Sequence, residues 1–108
     1  MCSSDLTFAW ARPPQEPSEI SSTTSDGWKV ISALAADVTG APVAPGLVTA
    51  GTDSRFLAEV AQDTYRFQPI TLSMGETAMI HGVDERMTLP NLERMVQFYA
   101  RLIATAAR

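Results

Sequence analysis

The strongest constraint on this chain is the periodicity of its final segment. Leu92, Met95, Val96, Tyr99, Leu102, Ile103 and Ala106 recur at spacings of three and four, the pattern of an α-helix with one apolar stripe. Leu89-Pro90 opens it, since proline is tolerated in a first turn, where its missing N–H has no intrahelical partner anyway. A short helix of this kind is marginal alone and needs a second layer to bury its stripe. The rest of the chain has to supply that layer.

The preceding segments predict that the layer is a sheet. Thr7-Phe8-Ala9-Trp10 is a β-prone run halted at Pro13-Pro14, because proline cannot donate to a ladder. Residues 15–25 are rich in Pro, Ser and Thr and read as a connector between structural units. Ser25-Asp26-Gly27 starts a helix that carries Val30, Ile31, Leu34, Ala35 and Val38 on one face and stops at Gly40. Trp28 stands at its start. Residues 46–50 form a nearly uniformly apolar strand of the doubly buried kind. A Gly-containing turn at 51–55 then leads to Phe56, Leu57, Val60 and Ala61 at helical spacing, and residues 64–67 give a further strand closed by Pro69. Strand, helix and strand suit a right-handed parallel crossover. Residues 71–85 are a Gly- and Met-containing loop carrying His81. The order β-α-β-α-β-loop-α predicts an α/β fold, with residues 1–6 as a frayed or non-native leader, 7–25 as strand and connector, and 26–108 as the folded part.

Composition narrows the chemistry. At 108 residues there is room for one domain. Eight basic against twelve acidic side chains give a net charge of −4, which argues against a nucleic-acid partner, since binding phosphates needs a basic stripe. No apolar run reaches the ~20 residues of a membrane span, and no secretory signal is visible. The lone cysteine, Cys2, cannot form an internal disulfide and is a weak pointer to a reducing compartment such as the cytoplasm. With one histidine, a zinc site built wholly here would be His81 plus carboxylates, an uncommon donor set. A serine-histidine hydrolase is numerically open, but no Gly-x-Ser-x-Gly elbow places a nucleophile.

Two places could carry chemistry. In the turn at 52–55, a helix N-terminus after a buried strand offers free N–H groups to an anion, and Arg55 adds a fork for a carboxylate or phosphate. The structural alternative is that Asp53 merely caps its helix and pairs with Arg55 or Arg66. In Ile80-His81-Gly82-Val83-Asp84-Glu85-Arg86, Gly82 lets the backbone approach a ligand. Asp84 and Glu85 are near enough in sequence to bond His81 or Arg86, as a ligand histidine requires. The alternative there is an exposed or structural imidazole. Met74 and Met79 flank this loop and either line a pocket or fill space, and with Met95, Phe98 and Tyr99 they read first as packing residues.

Gly51-Thr52-Asp53-Ser54-Arg55, Tyr65-Arg66-Phe67-Gln68-Pro69 and the His81 segment, in that order, resemble the C-terminal portion of the dinuclear-zinc peptidases. That family holds aminoacylase, carboxypeptidase S (Gly-Xaa carboxypeptidase) and the desuccinylases and deacetylases of amino-acid biosynthesis. The likeness to the carboxypeptidase S branch covers about residues 8–108. Glu16-Pro17-Ser18 and Ser25-Asp26-Gly27 resemble that branch's return from its lid domain. The resemblance implies the C-terminal part of a three-layer α/β/α catalytic domain that hydrolyses N-acyl amino acids or small peptides with a free carboxylate. It puts a zinc ligand on His81, the substrate carboxylate on Arg55, with Asp53 and Gly82 beside the substrate, and supporting roles on Asp84 and Glu85. Asp84 stands where the family often has asparagine. The family's His-x-Asp segment, bridging aspartate and Glu-Glu general base are not in this chain. The resemblance therefore implies two zinc ions with one ligand here, an isolated chain that is inactive, an N-terminal part of the catalytic domain as its partner, and room for a homodimer through the lid. The contrasting expectation is a non-catalytic α/β interaction module, whose acidic surface and last helix serve a protein partner.

Overall fold

The computed structural model describes residues 7, 9–11, 13 and 16–107. The expected leader at 1–6, and Phe8, Arg12, Pro14 and Gln15 of the expected strand and connector, lie outside the described residues. The elements are α1 (Asp26–Thr39), a 3-10 turn at Asp53–Leu57, a second at Glu76–Met79, and α2 (Leu89–Ala106).

Both long helices form where their caps dictate. The Ser25 hydroxyl accepts the Trp28 N–H at 3.3 Å to begin α1. Gly40 ends it at φ 65°, its N–H returning to Ala36 O at 2.8 Å. The Thr88 hydroxyl accepts the Asn91 N–H at 3.4 Å to begin α2, with Pro90 in the first turn. The two helices pack on each other, and an Arg101–Asp37 ion pair joins them at the surface. Phe98 is the centre of the small core, 0% exposed. The Phe67 and Tyr99 rings lie 5.2 and 5.3 Å from it, with Pro69 and Ala35 also buried. Tyr99 Oη donates to Phe67 O at 3.1 Å, tying the 64–67 segment to α2.

Among the described residues there is no β-strand, so the α/β expectation is corrected: the fold is helix on helix, with long irregular connections. A strand exists only through the ladder it forms with a neighbour, and here the backbone groups are satisfied differently. Thr64 N–H donates to Ser21 Oγ at 2.8 Å, and the same hydroxyl donates to Thr64 O at 3.0 Å. One side chain thus takes both groups that a ladder would use. Ser22 N–H donates to Asp63 Oδ1 at 2.7 Å and Tyr65 Oη to Ser22 O at 2.6 Å, so 21–22 and 63–65 are stitched by side chains. The apolar run at 46–50 has no layer over it, and Leu47 is 80% exposed. The crossover helix expected after it shrinks to a 3-10 turn followed by bonds from the Val60 and Ala61 N–H groups to Leu57 O. Val60 is 82% exposed, having nothing to pack against.

The α2 stripe is wider than the face the fold covers. Positions 91, 94, 95, 98 and 102 turn inward, whereas Leu92, Val96, Tyr99 and Ile103 form an exposed rim. The radius of gyration is 18.6 Å, against about 13 Å for a compact chain of this length.

Candidate functional site

His81 sits on a tight turn. Ile80 has φ −62° and ψ 121°, His81 has φ 60°, and Gly82 N–H donates to Met79 O at 2.8 Å. These are the marks of a type II turn, whose third position favours glycine. Here a histidine occupies it, the only non-glycine with positive φ among the described residues, at a conformational cost of about 1 kcal/mol. The glycine follows instead. A Cβ on Gly82 would stand 3.1 Å from Met79 O and 3.3 Å from Ala78 O, so Gly82 is needed where the chain doubles back on itself.

The turn edges a cavity of about 500 Å³ lined by Gln68, Ile70, Leu72, Glu76, Met79, Ile80, His81, Glu85, Arg86, Met87 and Asn91. Two of its polar groups are held by the fold. The Asn91 amide clamps Thr71, accepting its N–H and donating to its carbonyl, both at 3.0 Å. The Glu76 carboxylate accepts the Ser73 N–H and hydroxyl, each at 2.7 Å. Those two bonds, helped by the Arg86 charge, hold its carboxyl below the usual glutamate range. Arg86 Nη1 also donates to Asp84 O at 3.4 Å.

The structure brings together His81 and Glu85, which line one cavity; Gly82 and Asp84 adjoin it in the chain without lining it. Asp53 and Arg55 do not line it. Arg55 lays its guanidinium over the Phe56 ring, 4.6 Å from the centroid. Thr52, not Asp53, occupies the cap position of the first 3-10 turn. Arg66, the alternative partner for Asp53, donates from Nε to Thr52 Oγ1 at 3.0 Å and to Ser54 Oγ, and from Nη2 to Ser18 Oγ at 3.4 Å. The anion-binding helix terminus expected at 52–55 is therefore a five-residue 3-10 turn. Glu76, Gln68 and Asn91 are the polar liners that sequence reasoning did not single out. For Asn91 the signal was present: an asparagine in the first turn after Thr88-Leu89-Pro90, where a side chain can seek a backbone partner.

Among the described residues no three His, Cys, Asp or Glu side chains converge as a metal would need. One imidazole with neighbouring carboxylates does not fit a self-contained zinc site.

Comparison with known proteins gives the class. The family model described as peptidase family M20/M25/M40 matches residues 5–105, and the chain belongs to that family, as the motifs at 51–55, 65–69 and 80–86 indicated. It is 35% identical over 89 residues to the probable carboxypeptidase S-like 2 of Dictyostelium discoideum, covering 82% of this chain and 17% of that protein. It is 38% identical over 78 residues to the N-fatty-acyl-amino acid synthase/hydrolase PM20D1 of Xenopus tropicalis, covering 71% of this chain and 15% of that protein. With the N-fatty-acyl-amino acid synthase/hydrolase PM20D1.1 of Danio rerio, identity is 36% over 91 residues, covering 82% of this chain and 18% of that protein. The chain thus spans about a sixth of the length of the curated relatives it matches. No solved structure matches.

Proposed function

We propose that this chain forms part of the active site of a zinc-dependent amidohydrolase that cleaves N-acyl amino acids or small peptides bearing a free carboxylate. His81 supplies one zinc ligand, and the remaining ligands and the general base come from polypeptide that these 108 residues do not include. Glu85, on the same cavity, and Asp84 orient the imidazole. Arg55, with Asp53 and Gly82 near the substrate, takes the carboxylate. The observation that carries the reading is a histidine held at φ 60° on the edge of a cavity, within a segment matched by a peptidase family. A position that favours glycine is given to a side chain with metal-binding chemistry. The names of the relatives support an acyl-amino-acid substrate.

The test uses the native polypeptide that carries this sequence. His81→Ala is expected to lower bound zinc, read by elemental analysis, and to abolish cleavage of N-acyl amino acids; unchanged metal content and turnover would sink the reading. Arg55→Ala is expected to raise KM about tenfold or more, the worth of a charge-assisted hydrogen bond, for substrates ending in a carboxylate. An equal rise for amidated substrates would remove that role.

The exposed rim of α2 favours a second reading, a non-catalytic module whose apolar helix face and acidic surface bind a protein partner.

A further inference from the structure

We infer that the cavity beside His81 receives the acyl chain of the substrate, with Met79, Met87 and Ile80 setting how long a chain is accepted. This rests on the amidohydrolase reading and deepens it. The cavity volume, about 500 Å³, falls within the range of small-ligand sites. Ile70, Leu72 and Met79 line it half-buried, while Ile80 and Met87 line it exposed, so an apolar occupant would cover surface that the fold leaves wet. Unbranched methionines adapt to a flexible chain better than branched side chains do.

The polar liners decide which end of a ligand enters. Asn91 is engaged by Thr71, and Glu76 by Ser73, so neither calls for a ligand group. The charged liners, satisfied or not, are Glu76 and Glu85 against Arg86, a net negative lining that disfavours a carboxylate inside. The amino-acid end therefore stays outside and the acyl chain goes in, leaving the amide at the polar edge where His81 stands.

The experiment uses the native polypeptide carrying this sequence, stripped of zinc so that nothing is cleaved, and calorimetric binding of N-acetyl-, N-butyryl-, N-hexanoyl- and N-octanoylglycine. Affinity is expected to rise about two- to fourfold per added methylene, as partial to full burial predicts. Met87→Trp and, separately, Ile80→Trp fill the cavity from its exposed side and are expected to flatten that rise. Gln97→Trp, at an exposed polar position of α2 outside the cavity lining, keeps it. No dependence on chain length, a slope untouched by both filling variants, or a slope lost equally in Gln97→Trp overturns the pocket. Cleavage by the zinc-loaded protein separates the two ideas. Hydrolysis without a chain-length slope leaves the enzyme reading and removes the pocket. A slope with no hydrolysis of any N-acylglycine leaves the pocket and removes the enzyme reading.

Discussion

His81 and Gly82 divide one turn between function and geometry. If the imidazole is there for chemistry, the fold should not need it. His81→Gly relieves the left-handed conformation, at some loss from a more flexible unfolded chain, so thermal stability is expected to stay level or rise by up to about 1 kcal/mol. A fall of about 1 kcal/mol or more would mean that the side chain is structural. Gly82→Ala is the opposite case. Its Cβ meets two carbonyl oxygens whose chain is fixed by the Gly82–Met79 and Ile80–Thr77 hydrogen bonds, so neither can retreat easily. A loss of about 1 kcal/mol is expected in a melt. The His81 segment was legible in the sequence because a turn is written in adjacent residues. The partners of Arg66 were not legible: they are hydroxyls at 18, 52 and 54, and nothing local distinguishes them from a neighbouring aspartate.

At the level of elements, what could be read was whatever the chain encodes locally. Ser25, Gly40, Thr88 and Pro90 set both helices close to where capping chemistry puts them. The strands failed because a ladder depends on a distant neighbour, and at Thr64 a serine hydroxyl 43 positions away took its place. Such pins hold the cavity loop as well. Asn91→Ala removes both bonds that the buried Asn91 amide makes to the part-buried Thr71 backbone, so a loss of about 1–2 kcal/mol is expected in denaturant melts. The second 3-10 turn carries a pH dependence of known sign. Because the Glu76 carboxyl is held low by Ser73, its contribution is present above the ordinary glutamate value of about 4.3 and is lost as pH falls through the lowered one. The Ser73 amide resonance should titrate below that ordinary value and stop titrating in Glu76→Gln. Titration at the ordinary value would mean that the bonds to Ser73 do not hold the carboxylate.

Across the whole molecule, the core centred on Phe98 is small for the apolar surface left outside it. Phe98, Pro69 and Ala35 are its buried apolar side chains among the described residues, whereas Leu47, Phe56, Val60, Val96 and Ile103 all lie exposed. The extents of 65 × 34 × 21 Å spread these groups over a long body instead of gathering them. Buried apolar area is what offsets the entropy of folding, and an uncovered surface of this kind marks an interface. The same surface is what a larger catalytic unit would cover, and the relatives are about six times longer than the matched region. The 108-residue chain by itself is therefore expected to bind a hydrophobic dye, to associate with rising concentration in sedimentation, and to melt with poor cooperativity. If these residues pack within a larger catalytic unit, the native polypeptide that carries them should bind no dye and melt sharply. A dye-free monomer with one cooperative transition would show instead that the chain satisfies its own surface. The exposed rim of α2 would then belong to a self-sufficient interaction module, and the proposal that it packs within a hydrolase would fail.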